Sequence, residues 1–532
     1  MARYAASSRG VVTSPHHLAT AAGKAVLAAG GNAIEAALAV GSSLCVLYPH
    51  MNGLGGDGFW LVCDAAGRLT GLDGAGPAGC RYAPGFYTDQ GHAAIPGRGP
   101  HAANTVAGLV SVWGSAHAFS RGQWGGRLAW TDLLDPARTY AEQGFPCSAG
   151  QGDLLAQKWA ELGGCTGLTD IYAPGGRIPE AGSVFRQPQL AESLRLLQRD
   201  GADSFYRGEL GRRVARGLAA AGSLLAGEDQ SAFRSREVAP ISVAYRNGLA
   251  VNMPPPSQGL ASLLILAQLD RFELTQYGHL SADYVHLAVE ATKQAFRLRD
   301  RYVADPDHVA VPVAELLAPG RLDALAAGID PNRAAPWGRG VGPADTVWFG
   351  VMDAQGRAVS AIQSLYHEYG SGIVAGDTGI LWQNRGASFS LDSRHANVLK
   401  PGKRPFHTLN PAMYLEDGRP RLVYGTMGGD GQPQTQAAVA TRALDYRLPL
   451  ASVLDSPRWL LGRTWGQSSD SLKLEACFDP EVFAELERRG HEVERVEAYS
   501  QMMGHAGVIR VLPDGSAEAA SDPRSDGAAA GA

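Results

Sequence analysis

The chain predicts an α+β fold in which helices and strands form separate layers. Helical patterns occupy the first part, where apolar residues such as Tyr284, Leu287 and Ala291 recur every three or four positions. From Val347 onward, segments rich in β-branched and aromatic residues alternate in the way half-buried strands do. Runs of strands between helical blocks are typical of layered α+β proteins rather than of doubly wound sheets.

Helices are predicted where an apolar repeat meets a start or stop signal. Gly30 and Gly31 end the first pattern, Asn32 can cap the second, and Ser281 can cap the last. The expected helices cover residues 17–29, 33–47, 130–143, 189–199, 209–220 and 282–301. One face of the last helix is charged and is expected to be solvated: Lys293, Arg297, Arg299 and Asp300.

Strands are expected over residues 59–63, 347–353, 358–365, 421–424 and 507–512. Residues 53–58 (GLGGDG) match the letters of a dinucleotide-binding loop. They follow a predicted helix and precede a strand, whereas a nucleotide-binding loop follows a strand and opens a helix. They are therefore interpreted as a tight turn beside the functional site. The Gly- and Ala-rich residues 526–532 are expected to form a loose tail.

Bulk properties exclude several function classes. A net charge of −5 over 532 residues, without a long basic run, argues against nucleic acid or an anionic membrane as the main partner. The six cysteines are scattered, with no Cys/His spacing typical of zinc. The N-terminus has no apolar segment typical of a secretory signal, which predicts a cytoplasmic protein.

The junction of Asp345 and Thr346 carries the strongest functional signal. Residues 331–343 contain three prolines and three glycines and predict a loop, whereas a strand follows Thr346. Cleavage between Asp345 and Thr346 would give Thr346 a free α-amino group beside its hydroxyl. That amine has a reference pKa of about 7.7–8.0 and could act as the base for the hydroxyl nucleophile. A threonine that merely opens a strand is the simpler alternative.

Several motifs in register resemble the gamma-glutamyltransferase (glutathione hydrolase) family of N-terminal-nucleophile hydrolases. They span nearly the whole chain: residues 18–49, 52–58 (NGLGGDG), 253–259 (MPPPSQG), 290–296 (EATKQAF), 370–376 (GSGIVAG), 403–405 (KRP), 428–429 (GG) and 521–524 (SDPR). The resemblance implies a four-layer αββα sandwich built from two cleavage products, residues 1–345 and 346–532. It implies no cofactor or metal, and it leaves open whether cleaved units form dimers.

The resemblance also implies roles for particular residues. Thr346 would be the nucleophile, Ser364 would place a hydroxyl beside it, and the N–H groups of Gly428 and Gly429 would form the oxyanion hole. Glycine suits this last role because a backbone without Cβ can approach a substrate carbonyl closely.

Departures from the family point to the substrate. Ala75 stands where relatives carry the arginine that binds the γ-glutamyl α-carboxylate, and alanine cannot supply that contact. The substrate-binding residues expected here are Tyr366, Arg385, Ser388, His407 and Thr408. Arg385 in place of a neutral amide should attract an acid and repel an ammonium group. Trp348 and Tyr366 could narrow the pocket.

These departures predict a self-cleaving threonine amidohydrolase that uses water to hydrolyse a small amide bearing an acidic group. The chain resembles most the family branch that includes oxamate amidohydrolase and glutaryl-cephalosporin acylase-like proteins, so an oxamate-like substrate ranks first. A dicarboxylic acyl amide ranks second and a γ-glutamyl compound such as glutathione third. An uncleaved protein that only binds a small acid is the alternative from another class. A Ser/His/Asp hydrolase is disfavoured, since the chain has no GxSxG motif.

Overall fold

The computed structural model describes residues 3–338, 345–463 and 469–532. Part of the predicted loop before the cleavage point, residues 339–343, lies outside these ranges. Asp345 is the first described residue after the gap and begins a strand.

Two seven-stranded sheets dominate the fold. The first has the order β1-β18-β17-β13-β12-β9-β8 and the second β19-β2-β10-β11-β3-β4-β7, with antiparallel pairing throughout both. The strands are β1 (Tyr4–Ser7), β2 (Gly10–Ser14), β3 (Asp57–Cys63), β4 (Leu69–Asp73), β5 (Phe145–Pro146), β6 (Val184–Phe185), β7 (Arg236–Val238), β8 (Ile241–Tyr245), β9 (Gly248–Asn252), β10 (Asp345–Asp353), β11 (Ala358–Tyr366), β12 (Ala412–Glu416), β13 (Arg419–Thr426), β14 (Trp459–Leu461), β15 (Leu472–Glu475), β16 (Val493–Val496), β17 (Ala506–Val511), β18 (Ala517–Ser521) and β19 (Ala528–Gly531).

Helices cover the outer faces of both sheets. They are α1 (His17–Ala28), α2 (Ala33–Leu47), α3 (Pro84–Thr88), α4 (Leu109–Gln123), α5 (Trp130–Gln143), α6 (Ala149–Gln157), α7 (Trp159–Leu162), α8 (Thr166–Tyr172), α9 (Pro188–Asp200), α10 (Ser204–Arg207), α11 (Glu209–Ala220), α12 (Gly227–Ala232), α13 (Gly259–Leu269), α14 (Ala282–Tyr302), α15 (Val313–Leu316), α16 (Pro319–Ala327), α17 (Gly431–Leu444), α18 (Leu450–Asp455) and α19 (Pro480–Arg488).

Three apolar cores show that the layers stack as αββα. One core joins α1, α2, α4 and α5 to the outer face of the second sheet, and another joins α13, α14 and α17 to the outer face of the first. The third lies between the sheets and contains Phe59, Met253, Trp348 and Val423. The predicted four-layer sandwich is confirmed. No helix in the described ranges is long and apolar enough to cross a membrane.

Local signals placed the six predicted helices correctly. Asn32 caps α2 and forms a capping box with Glu35, whose side chain accepts a hydrogen bond from the Asn32 backbone N–H at 2.8 Å. Every residue of α2 is buried, because the helix is covered by α1, α5 and the sheet. The α2 and α5 bounds agree with the sequence prediction, and the other predicted helices agree to within one residue at each end.

Two sequence expectations were wrong. Residues 528–531 are not a loose tail, because they form the strand β19, which pairs with β2 through Ala530 and Val12. The charged face of α14 is not fully solvated: Lys293 and Arg299 are buried because each has an acidic partner, Glu290 and Asp430 respectively. Glu290 lies three residues before Lys293 on the same helix, whereas Asp430 comes from a distant part of the chain that composition and periodicity could not show.

Trp348 lies in the core between the sheets. Its indole N–H donates to Ser360 Oγ at 2.9 Å, and its ring packs closely over Gly425 and Gly507. A Cβ on Gly425 would come within 2.2 Å of the ring, and a Cβ on Gly507 within 2.3 Å. Glycines on β13 and β17 therefore make the room that this large side chain occupies.

We expect Gly507→Ala to lower the melting temperature. The added methyl group overlaps a rigid indole, and overpacking of a core costs about 1–3 kcal/mol. Gly320→Ala is the control, since a Cβ there meets nothing within 4 Å in helix α16. Equal melting temperatures for both variants, measured by differential scanning fluorimetry, would contradict this account of the inter-sheet packing.

Candidate active site

Thr346 lies at the start of β10, in the middle of the second sheet between β2 and β11. Its side chain is fully buried. The register with β11 slips here: Asp345 pairs with Tyr366 and Val347 with Gln363, so Ser364 and Leu365 lie opposite Thr346. The irregularity lies at the point where the chain enters the sheet.

Ser364 is held beside this irregularity. Its hydroxyl accepts a hydrogen bond from the Tyr366 N–H at 2.7 Å, and Tyr366 takes the left-handed φ of 83°. The glycine-rich turn packs against the same strand end, since a Cβ on Gly56 would come within 2.2 Å of the Ser364 carbonyl oxygen. The interpretation of residues 53–58 as a turn beside the site therefore agrees with its position.

Gly428 and Gly429 follow β13 and precede the N-terminus of α17. Both have positive φ, 113° and 53°, and within the described ranges neither N–H has a hydrogen-bond partner. The positive end of the α17 dipole adds to the attraction that these N–H groups would exert on an oxyanion. In the first turn of α17, Gln432 Nε2 lies 3.4 Å from Thr346 Oγ1. The helix start and the threonine hydroxyl therefore face one another.

Gln258 and a buried ion pair hold the diglycine loop in place. Gln258 Nε2 donates to the carbonyl oxygens of Gly429 at 2.9 Å and Thr408 at 2.8 Å. Its Oε1 accepts from Arg299, which also forms an ion pair with Asp430 at 2.8 Å. All these side chains are buried. The diglycine loop and the segment carrying Thr408 are thus fixed relative to each other.

Arg385 is the exceptional charge of the site. It is fully buried, its guanidinium lies 4.0 Å from the centre of the Tyr366 ring, and its Nη1 donates to Thr408 Oγ1 at 3.1 Å. Neither Nε nor Nη2 has a partner among the described residues, and no described carboxylate forms an ion pair with Arg385. Burial lowers the pKa of Arg385 to about 10, which still leaves it charged at neutral pH.

Asp57 and His407 form a second buried pair near Arg385. His407 Nε2 lies 3.1 Å from Asp57 Oδ2, and Nδ1 accepts from the Leu409 N–H at 3.3 Å, which assigns the proton to Nε2. Burial raises the pKa of Asp57 to about 7 and lowers the pKa of His407 well below its usual value. The hydrogen bonds show which protonation states Asp57 and His407 have. Every group on the Asp57 carboxylate is a donor, so Asp57 is the anion and His407 is neutral.

The structure brings together most of the residues that the sequence singled out. Thr346, Ser364, the diglycine loop, Tyr366, Arg385 and Thr408 are linked through the contacts above. His407 is close by, but Asp57 and Leu409 occupy both of its ring nitrogens. Ser388 donates to the Phe406 carbonyl oxygen at 3.0 Å and lines a separate cavity of about 160 Å³ with Arg299 and His395. Ser388 therefore has no described contact with the Arg385 guanidinium.

Comparison with known proteins identifies the family. A model described as Gamma-glutamyltranspeptidase matches residues 19–532. The chain belongs to the gamma-glutamyltranspeptidase family. It is 51% identical to the oxamate amidohydrolase proenzyme of Klebsiella pneumoniae subsp. pneumoniae over 99% of both chains. It is 42% identical to the glutathione hydrolase-like YwrD proenzyme of Bacillus subtilis, over 98% of both.

Solved structures agree with this assignment. The cephalosporin acylase of Bacillus halodurans superposes with a TM-score of 0.91 at 33% identity, covering 100% of this chain and 97% of the acylase. The predicted family and fold class are thereby confirmed. The protein is accordingly an amidohydrolase of the N-terminal-nucleophile class within the gamma-glutamyltranspeptidase family.

Sequence reasoning missed three side chains of this family member's site. Gln432 faces Thr346, Gln258 fixes the diglycine loop, and Asp57 lies beside Arg385. Gln258 and Asp57 lie inside motifs that carried the family resemblance, MPPPSQG and NGLGGDG, so their positions were visible although their roles were not. Gln432 had only a weak signal, its place three residues after the diglycine.

A pH dependence of stability follows from the buried histidines. Burial lowers the pKa of His407 well below its unfolded value of about 6.5, so acidification below pH 6.5 favours unfolding. Each such histidine contributes up to about 1.4 kcal/mol per pH unit. Burial lowers the pKa values of other histidines to about 3 or 4 in the same way: His16, His50, His491 and His505.

We expect the free energy of unfolding to fall steeply between pH 6.5 and 5. His407→Gln should reduce that slope by about one proton, as measured by urea denaturation at several pH values. His308→Gln, at an exposed histidine, should leave the slope unchanged. If His407→Gln leaves the pH dependence of the unfolding free energy unchanged, His407 is protonated in the folded protein.

Proposed function

We propose that the protein is a self-cleaving threonine amidohydrolase whose substrate is a small amide bearing a carboxylate, with oxamate as the preferred candidate. In the precursor, Thr346 Oγ1 attacks the carbonyl carbon of Asp345 and the peptide C–N bond breaks. The peptide nitrogen takes up a proton and becomes the α-amino group of Thr346. Water then hydrolyses the resulting ester, which yields residues 1–345 and 346–532.

In the cleaved protein the same hydroxyl attacks the substrate amide. The α-amino group accepts the hydroxyl proton and passes it to the leaving nitrogen, so ammonia or an amine departs. Water then releases the acid from the Thr346 ester. The N–H groups of Gly428 and Gly429 support this proposal because they have no partner among the described residues and lie at the N-terminus of α17, the end that attracts an oxyanion.

The observation that carries the substrate proposal is the unpaired guanidinium of Arg385. Its Nε and Nη2 are buried and point to no described acceptor, and an arginine fork matches a carboxylate in geometry and charge. Oxamate offers a carboxylate directly bonded to the amide that would be cleaved. The 51% identity to a protein named oxamate amidohydrolase proenzyme supports the same choice.

Two alternatives remain distinguishable by experiment. A γ-glutamyl hydrolase is favoured by the relatives named glutathione hydrolase, but a γ-glutamyl group carries an ammonium that Arg385 would repel. A protein that binds a small acid without cutting itself would leave Thr346 inside a peptide bond. The position of Trp348, packed into the inter-sheet core, weakens the idea that its bulk blocks the nucleophile.

We expect the parent protein of 55.9 kDa to convert into two fragments separated before Thr346. Thr346→Ala should stay intact and lose at least about 10⁴-fold in amidase activity, because no nucleophile remains. Thr346→Ser retains the hydroxyl and should cleave its own chain between residues 345 and 346. Intact mass over several hours checks both. A folded parent that stays full-length would support the binding-protein alternative.

The substitution Arg385→Met should lower kcat/KM for acidic substrates more than for neutral ones. Charge-assisted hydrogen bonds are worth about 1.5–3 kcal/mol, so kcat/KM for oxamate should fall about 10–150-fold. For oxamide, in which an amide replaces the carboxylate, the change should stay within about threefold, because no charge is lost there. Ammonia release from both compounds gives the ratio.

The exposed Arg297→Gln serves as the control and should alter neither substrate. The melting temperature of Arg385→Met should stay equal or rise, since a buried charge without a partner is removed. Equal losses for oxamate and oxamide would contradict the carboxylate-binding role. Faster hydrolysis of a γ-glutamyl anilide than of oxamate by the parent would favour the glutathione-type alternative.

A further inference from the structure

A buried cluster of two histidines and a glutamate lies outside the candidate active site. His286 and Glu290 stand one turn apart on α14, and His491 follows α19. One ligand atom from each lies within 4.8 Å of the others, and all three side chains are buried. Imidazole nitrogens and a carboxylate oxygen form the donor set that zinc accepts in proteins.

We propose that His286, Glu290 and His491 form a binding site for a divalent transition metal of the Zn²⁺ type. His286 Nε2 donates to the backbone carbonyl of Asp330 at 2.8 Å, which leaves the lone pair on Nδ1. That nitrogen faces His491 Nε2 at 2.8 Å. A carbonyl that accepts from the far nitrogen is the usual way in which proteins orient a metal-binding histidine.

Metal binding would require the two imidazoles to move apart and the Glu290 oxygen to approach them, since the three ligand atoms lie within 4.8 Å of one another. Ligands about 2.0–2.1 Å from a tetrahedral zinc ion lie about 3.3 Å apart, so the two imidazoles would separate by about half an ångström. Burial keeps both rings neutral, since it lowers the pKa of His491 to about 3 and also lowers the pKa of His286. Both rings are therefore neutral, as metal binding requires. His491 Nε2 now donates a hydrogen bond to His286 Nδ1, so a metal would bind His491 in its other tautomer, with the proton on Nδ1.

Lys293 would compete with a metal ion for the Glu290 carboxylate. Its ammonium donates to Glu290 Oε1 at 2.7 Å and to the Ala335 carbonyl oxygen at 2.7 Å. A metal would displace it from the carboxylate, and Ala335 would still accept its other hydrogen bond. A cavity of about 390 Å³ lined by Lys293, Trp337 and His491 gives an approach to the cluster and room for a fourth ligand.

Metal binding there would fix the chain segment that leads toward the cleavage point. Glu290 Oε2 accepts from the Ala335 N–H at 3.1 Å, and the Ala334 N–H donates to the Arg489 carbonyl oxygen at 2.8 Å. If the chain is cut before Thr346, as proposed above, His286 and Glu290 belong to one fragment and His491 to the other. The metal would then join the two fragments, a consequence that rests on the proposed cleavage, whereas the site itself does not.

The test is a titration of metal-free full-length protein with Zn²⁺, by isothermal calorimetry, in the parent and in uncut Thr346→Ala. We expect one equivalent to bind in both. His491→Gln and Glu290→Gln should weaken binding by more than the 10–100-fold that loss of an indirect partner causes. Lys293→Met removes the competing ammonium and should tighten binding about tenfold or more, an effect that no loss of structure could produce. His308→Gln should change nothing.

Several results would overturn the proposal. They are absence of binding in the parent, binding that His491→Gln and Glu290→Gln leave unchanged, or weaker binding in Lys293→Met. Cys80 and Cys477 are exposed and could hold zinc instead. Co²⁺ distinguishes these sites, because cysteine ligation adds a thiolate charge-transfer band that nitrogen and oxygen ligands do not give. Such a band, or loss of binding after thiol alkylation, would place the metal on cysteine.

Discussion

The position of β10 in the middle of the second sheet is the constraint on which the rest of the site depends. The strand pairs with β2 on one side and β11 on the other, and its side chains reach both the helical layer and the inter-sheet core. Cleavage before Thr346 would therefore release a chain end without freeing the strand that carries it. The nucleophile would stay fixed against the N-terminus of α17, as positioning of a reacting group requires.

The buried arginines near this site differ in whether a carboxylate neutralises them. Arg299 is paired with Asp430, and it supports the diglycine loop. Arg404 is paired with both Asp73 and Asp305, next to Ala75. Arg385 senses Asp57 only through space, since neither forms a hydrogen bond to the other. Arg299 and Arg404 are thus neutralised by carboxylates of the protein, whereas Arg385 forms no ion pair among the described residues.

The fold and the position of Thr346 at the start of a strand could be predicted because they depend on local signals and on ordered motifs. Helix bounds followed from caps such as Asn32, and Thr346 followed from the loop-to-strand junction. What could not be predicted depends on long-range partners. The ion pair of Arg299 with Asp430, the strand β19 and the contact of Gln432 with Thr346 join residues far apart in sequence. Arg385 as a binding residue stays a prediction, and Ser388 has its described contact elsewhere, with Phe406.

The energetic cost of Arg385 is the reason to connect it with substrate. Transferring a guanidinium from water to a protein interior costs several kcal/mol unless charges and hydrogen bonds replace the lost water. Here Thr408 and the Tyr366 ring replace only part of it. Ala75 lies beside Arg404, a cation that two carboxylates already neutralise. A substrate carboxylate bound to Arg385 would neutralise its buried positive charge. A ligand ammonium there would add a second positive charge.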